Sequence, residues 1–162
     1  MHEYRIGHGY DVHRLAEGEE LWIGGIQIEH EKGLVAHSDG DVAIHALCDA
    51  LLGAAAMGDI GLHFPDTSSE FKDISSVDLL KDVSWMLSKA GLEVVNVDIT
   101  IVMQRPKLRP YIDTMRTILA EAMEIQVNCV SIKATTTEKL GFVGREEGVE
   151  AHAVAMLKIK PY

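Results

Sequence analysis

Asp11 and His13 stand two residues apart in GHGYDVHRL, residues 7–15. In an extended chain the side chains of residues i and i+2 point to one face, so a carboxylate and an imidazole look the same way. Both are ligand types for a divalent cation such as zinc. A third donor of this kind is His45, set among Val42, Ala43, Ile44, Ala46 and Leu47 in a segment of helical pattern. Taken by itself, a histidine in such a run reads as a hydrogen-bonded core residue. Asp49, four residues on, shares its helical face and is placed to hold the second ring nitrogen, with Asp41, four residues back, as a competitor. Together Asp11, His13 and His45 make a set of two imidazoles and one carboxylate. Three protein ligands with an open fourth position suit a catalytic zinc, whereas a structural zinc is closed by four ligands, mostly cysteine. Cys48 and Cys129 are too few and too scattered for the closed kind.

A second constellation lies in ATTTEKLGFVGREEG, residues 134–148. Thr135, Thr136 and Thr137 offer hydroxyls and backbone donors in a row, which suits phosphate oxygens, although threonines are also common strand residues. Glu138 follows at once. A carboxylate beside phosphate donors is a common way to hold magnesium; the plainer reading is a solvated glutamate paired with Lys139. QRPKLRP, residues 104–110, is a basic stretch in an acidic protein, stiffened by two prolines, and could present backbone groups to a planar base. His37 and Ser38 precede the helical run carrying His45, where backbone N–H groups and the helix dipole favour an anion; simple capping is an equal reading. His63, His2, His8, His30 and His152 carry no assigned role.

The elements that must position these groups follow from periodicity. Residues 3–13 alternate as a strand. LWIGGIQIEH, residues 21–30, holds two apolar runs around a Gly24-Gly25 turn. A helix is expected from about Asp39 or Gly40 to about Ala56, with Ser38 or Asp39 as N-cap and Gly58 as stop. Ser75 or Ser76 caps a second helix that ends at Gly91. Residues 92–104 form the clearest strand, Tyr111 to Glu124 a third helix, 127–135 another strand, and VEAHAVAMLKIK a last one. Strands alternate with helices, with an antiparallel pair at each end. The expected fold is α+β: a two-layer sandwich of one mixed sheet with helices on one face. At 162 residues the chain is expected to be one domain, 1–162. Its net charge of −10 argues against nucleic-acid or anionic-membrane partners. No apolar run is long enough for a transmembrane helix, and the N-terminus lacks a signal-peptide pattern. Both cysteines sit in apolar patterns, as buried reduced thiols, which fits a cytoplasmic compartment. A plastid-type compartment, reached with a transit peptide since removed, is also compatible.

GHGYDVHRL, GLVAHSDGDVAIHALCDALLGAAAMGDIGLHFPDT, QRPKL and ATTTEKLGFVGREEG, spread over residues 7–148, together resemble the 2-C-methyl-D-erythritol 2,4-cyclodiphosphate synthase family of the non-mevalonate isoprenoid pathway. The resemblance implies a lyase that cyclises 4-diphosphocytidyl-2-C-methyl-D-erythritol 2-phosphate and releases CMP. It implies Zn2+ on Asp11, His13 and His45, and Mg2+ or Mn2+ on Glu138. His37 and Thr136 would stabilise the transition state, and Ser38 and Val12 would touch substrate. Asp59, Ile60 and Gly61 would bind the methylerythritol, flanked by Phe64, Pro65, Asp66, Thr67 and Ser68. Met103, Gln104, Arg105, Pro106, Lys107, Leu108 and Arg109 would form the cytidine pocket, with Arg109 standing where the family often has an apolar residue. Thr135, Thr136 and Thr137 would meet the phosphates, and Phe142 and Arg145 are further binding positions. The resemblance also implies a homotrimer with active sites between subunits, and an axial channel able to hold an isoprenoid diphosphate. Two other readings fit the same ligands: a zinc-dependent hydrolase of nucleotide diphosphate esters, with Asp59 or Asp66 as base, and a non-catalytic nucleotide- or isoprenoid-binding trimer.

Overall fold

The computed structural model describes residues 4–65 and 74–160. Strand β1 (Tyr4–Glu17) is longer than its alternation predicts, and pairs with two partners. A short hairpin follows, β2 (Leu21–Ile23) and β3 (Ile26–Ile28), turning on Gly24 and Gly25 as expected. Both glycines have positive φ, 62° and 83°, as a two-residue hairpin turn of this twist requires. Then come β4 (Lys32–Val35), helix α1 (Val42–Ala54), a short turn of helix α2 (Ile60–His63) and helix α3 (Ser76–Lys89). Strand β5 (Leu92–Val102), helix α4 (Ile112–Met123), strand β6 (Val130–Thr135), a short α5 (Gly141–Gly144) and strand β7 (Gly148–Ile159) complete the order.

The five-stranded sheet runs β4-β1-β7-β5-β6. Only β5 and β6 are parallel, so the sheet is mixed, as expected. The antiparallel pair anticipated at each end takes a different form. The first and last strands pair with each other, from Tyr4 opposite Lys158 to Arg14 opposite Gly148. Helix α1 lies on β1, β7 and β5, and buries nearly every side chain it carries. Ile44, Leu47, Leu51 and Leu52 are wholly enclosed, each contributing roughly 2 kcal/mol of apolar burial. The close fit depends on Gly7 and Gly9 of β1. A Cβ on Gly9 would stand 2.7 Å from Ala50 N, and closer still to the Ala46 carbonyl oxygen. Val97, Ile99 and Ile101 of β5 and Ala151, Ala153 and Ala155 of β7 turn into the same core. On the opposite face Ile6, Tyr10, Val12 and Val154 remain exposed.

Element boundaries differ from expectation where tertiary contacts decide them. The N-cap of α1 is Asp41, not Ser38 or Asp39, because the Asp41 carboxylate also accepts from Gly24 N (3.0 Å) and Gly25 N (2.7 Å) of the hairpin. The helix stops at Ala54, with Ala56 rather than Gly58 first turning to positive φ. Ser75 caps α3, which leaves the Ser76 side chain free to face the core. Val127–Cys129 is a 3-10 turn rather than strand, which leaves Cys129 partly exposed; Cys48 is buried as expected. No described helix is long and apolar enough to cross a membrane.

Candidate active site

The period-two alternation of β1 sends Asp11 and His13 to the helix-facing side, in line with Gly7 and Gly9. Because those glycines let α1 approach, His45 arrives directly over them. Asp11 Oδ2 lies 3.1 Å from His13 Nε2 and 3.1 Å from His45 Nδ1. His13 Nε2 and His45 Nδ1 are 3.5 Å apart. One oxygen and two imidazole nitrogens, all within 4.8 Å of one another, form a donor set suited to zinc. Among the described residues no fourth acid, histidine or cysteine joins this group. The side chains keep 11–25% of their surface exposed, so the cluster has an open side. Burial alone would push the Asp11 carboxyl up, but hydrogen bonds with His13 and His45 outweigh it and hold the pKa at about 2. Burial likewise disfavours a charged His45, and the Asp11 hydrogen bond and charge outweigh it, raising its pKa. Both shifts come chiefly from the hydrogen bonds between Asp11 and the imidazoles.

Behind the cluster the structure differs from the sequence reading. Asp49 does not hold His45; its Oδ1 accepts from Ile60 N at 2.8 Å and so anchors the 59–61 segment to α1. Asp41 is committed to Gly24, Gly25 and Ile44, fully buried, and burial pushes its pKa up to about 6. His45 Nε2 instead meets Ser76 Oγ at 2.9 Å. Ser76 is held in turn by Asp39, whose Oδ2 accepts from Ser76 N at 2.7 Å and whose Oδ1 accepts from the hydroxyl. No motif pointed to Ser76: the one signal was a polar residue at the start of a helix. His37 and Ser38 lie in the loop before Asp41, not at the helix start, and His37 is exposed. Ser38 Oγ accepts from Gly40 N at 3.3 Å. The Asp59 side chain caps α2, accepting from Leu62 N at 3.0 Å, with Ile60 and Gly61 following and Phe64 and Pro65 ending the segment. Asp66, Thr67 and Ser68 lie outside the described residues.

The second constellation gathers at the ends of β5 and β6. A cavity of about 340 Å³ is lined by Met103, Gln104, Pro106, Lys107, Leu108 and Arg109 from one side and by Thr135 and Thr136 from the other. Its size suits a small-molecule fragment. Arg105 is not part of it: the preceding strand turns its guanidinium outward, to Glu146 (2.5 Å) and Glu31 (2.7 Å). Thr137 also stands apart, its hydroxyl donating to Leu140 O at 2.6 Å. Glu138 is exposed, in a left-handed backbone conformation with φ 53°, and its N–H donates to Thr136 Oγ1 at 3.2 Å. Gln104 Oε1 accepts from Lys139 N at 3.2 Å, which ties the pocket to the Glu138 loop. Phe142 and Arg145 line a different cavity of about 490 Å³, together with Val12 and His13. Glu138 is not among the grouped metal donors, and no residue of the Asp11 cluster lines the cavity beside Thr135.

A mixed sheet thus bears a metal-capable acid and two imidazoles, with a separate small-molecule pocket at its edge, and the chain belongs to the YgbB family, whose model matches residues 4–158. Its relatives carry a specific name. Proteins of Pseudomonas fluorescens and Azotobacter vinelandii, 58% and 60% identical, are each named 2-C-methyl-D-erythritol 2,4-cyclodiphosphate synthase. The alignments cover 95% and 94% of this chain and 98% of each relative. Among solved structures, the bifunctional IspDF of Campylobacter jejuni superposes with a TM-score of 0.92 at 43% identity, over 97% of this chain and 42% of that one. A CDP complex of IspF from Plasmodium falciparum gives 0.86 at 30% identity, over 99% of both chains.

Proposed function

We propose that this chain converts 4-diphosphocytidyl-2-C-methyl-D-erythritol 2-phosphate to 2-C-methyl-D-erythritol 2,4-cyclodiphosphate and CMP, with Asp11, His13 and His45 holding Zn2+ and Glu138 holding Mg2+ or Mn2+. The observation that carries the reading is the convergence of the three donors with one side left open. An oxygen of the substrate's 2-phosphate forms a bond to the β-phosphorus, and the bond from that phosphorus to the bridging oxygen breaks. The electron pair leaves with CMP, so no protein nucleophile and no external reactant is needed. The difficulty is repulsion: two unit charges 4 Å apart cost about 4 kcal/mol at an effective dielectric near 20. The bound cations supply Lewis-acid charge neutralisation and a template for the phosphates.

The protein groups supply position. His37 and Ser38 reach substrate from the loop before α1, and His37 with Thr136 stabilises charge as the pentavalent centre forms. Asp59, Ile60 and Gly61, anchored by Asp49, take the methylerythritol together with the segment from Phe64 to Ser68. The cavity around Pro106, Lys107 and Leu108 takes the cytosine, a reading supported by the relatives solved with CDP. Thr135 and Thr136 face the phosphates. In one chain the metal cluster and this cavity have no lining residue in common, which supports an active site completed by a neighbouring subunit. The exposed apolar face bearing Ile6, Tyr10, Val12 and Val154 supports a homotrimer closed around it. Phe142 and Arg145 would then stand at the mouth of an axial channel for an isoprenoid diphosphate. The test is incubation of the zinc-loaded protein with the cytidine diphosphate ester, followed by 31P NMR. A cyclic diphosphate with equimolar CMP, lost in His13→Ala, is expected; a linear phosphate product would make the protein a hydrolase instead.

A further inference from the structure

His45 is the one ligand of the cluster carried by a helix, and its ring has to choose which nitrogen carries the proton. Nδ1 points at Asp11 and His13, while Nε2 is buried against Ser76 Oγ at 2.9 Å. Ser76 itself is 1% exposed. A serine hydroxyl has a single hydrogen to donate. Here its oxygen lies in close contact with Asp39 Oδ1 as well as with the imidazole. An ionised carboxylate accepts only. Asp39 already accepts from Ser76 N at 2.7 Å and from Asp41 N at 3.2 Å. If the hydroxyl hydrogen turned toward His45, two acceptor oxygens would face each other at short range with no proton between them. The hydrogen therefore lies on the Asp39 side, and Ser76 Oγ can only accept from His45. That fixes a proton on Nε2, so the position left for a cation is Nδ1, which in this structure donates to the Asp11 carboxylate at 3.1 Å and gives up that proton when a cation takes its place.

We propose that Asp39 and Ser76 are positioning residues for metal binding: the chain Asp39, Ser76, His45 fixes both the tautomer and the plane of the imidazole, so that Nδ1 meets the cation as a ready ligand. The proposal rests on the reading of Asp11, His13 and His45 as ligands. It adds two residues that touch neither cation nor substrate. It also gives the start of α3 a part in the site, since Ser76 is the first residue of that helix. Hydrogen-bonded groups behind a ligating histidine generally change metal affinity 10- to 100-fold when removed.

Ser76→Ala deletes the acceptor for Nε2–H. Asp39→Asn reverses the chain: the amide NH2 donates to Ser76 Oγ, the hydroxyl hydrogen turns to Nε2, and the proton moves to Nδ1, where it opposes the cation. Zinc affinity is measured by competition with a chromophoric chelator, with melting temperature recorded for each protein. The zinc Kd is expected to rise about 10- to 100-fold in both variants. Saturating zinc should restore CMP release with KM unchanged, because substrate contacts are untouched. In 15N spectra of the zinc-loaded parent, the ring proton of His45 is expected on Nε2. A parent whose proton sits on Nδ1, or variants that fold and hold zinc within threefold of the parent, would overturn the proposal. His13→Ala separates the two levels. If it too binds zinc like the parent, the ligand reading itself fails. If it loses zinc while the Ser76 and Asp39 variants keep it, only the relay fails.

Discussion

Gly9→Ala tests whether the spacing between β1 and α1 sets the metal cluster. The added methyl would lie 2.7 Å from Ala50 N and 2.8 Å from the Ala46 carbonyl carbon, both backbone atoms. These two fall 0.6–0.7 Å short of the 3.4 Å at which ordinary contact begins, the Ala46 carbonyl oxygen lies closer still, and none of these backbone atoms can rotate away. The helix has to lift, and Ala46 is the residue next to His45. Overpacking of this kind costs about 3 kcal/mol, which for a domain of this size lowers Tm by about 6–12 °C. Lifting His45 off a cluster whose donors are 3.1–3.5 Å apart should also weaken zinc binding by about 10- to 100-fold. Gly53→Ala is the internal control. It lies in the same helix, but its added methyl meets nothing nearer than His8 O at 4.0 Å, so it should stabilise by about 0.5–1 kcal/mol through helix propensity. The assay is a thermal melt with and without zinc, followed by chelator competition. A Gly9→Ala protein that melts within about 2 °C of the parent and binds zinc equally well would show that the close approach does not hold the ligands in place.

Asp41 keeps its proton longer in the folded state, with a pKa pushed up to about 6, so folded stability should fall as pH rises from about 4 to about 6 and level off above. The fall amounts to roughly 3 kcal/mol, and Asp41→Asn should lack it; guanidinium midpoints that shift in parallel for both proteins across this range would contradict the assignment. Asp11 has the opposite sign: its depressed pKa contributes stability in the metal-free protein that is lost as pH drops from about 4 to about 2, and Asp11→Asn should flatten that acid limb in the same titration. Gln104→Ala removes the acceptor of Lys139 N and should raise KM about three- to tenfold with little change in kcat, as steady-state CMP release would reveal. Dialysis against a chelator should abolish turnover and added Zn2+ should restore it; turnover that survives chelation, with metal analysis showing none bound, would remove the cation from the reaction.

The ligand cluster was legible because Asp11 and His13 obey the two-residue period of a strand and His45 lies in a strongly apolar helical run. Two local patterns were enough to name all three. What supports His45 was not legible. Asp49 and Asp41 share its helix and sit at the right spacing, yet the partner is Ser76, 31 positions away, brought in by the packing of α3. The cap of α1 was obscured for a similar reason. HSDGD offers Ser38, Asp39 and Asp41 as capping residues within four positions, and the choice fell to Asp41 because two hairpin N–H groups, distant in sequence, also needed an acceptor. Arg105 shared a basic run with pocket residues, but its charge is spent on Glu31 and Glu146, which no short pattern connects to it. The mixed sheet could be expected from alternating elements; the pairing of the first strand with the last is a long-range fact that periodicity does not contain.

That pairing has a consequence for how the protein matures. Beside Asp11 and His13, β7 is the only neighbouring strand among the described residues, since β4 joins β1 only from Arg14 onward. Two of the three metal-capable donors thus ride on a stretch of β1 without a sheet partner until residues 148–159 have emerged. Closing so large a loop costs on the order of 4 kcal/mol in chain entropy, a cost offset only when β7 forms its ladder with β1. Loading should accordingly wait until β7 has emerged and paired with β1, and chains that stall before that strand should be unable to retain the ion.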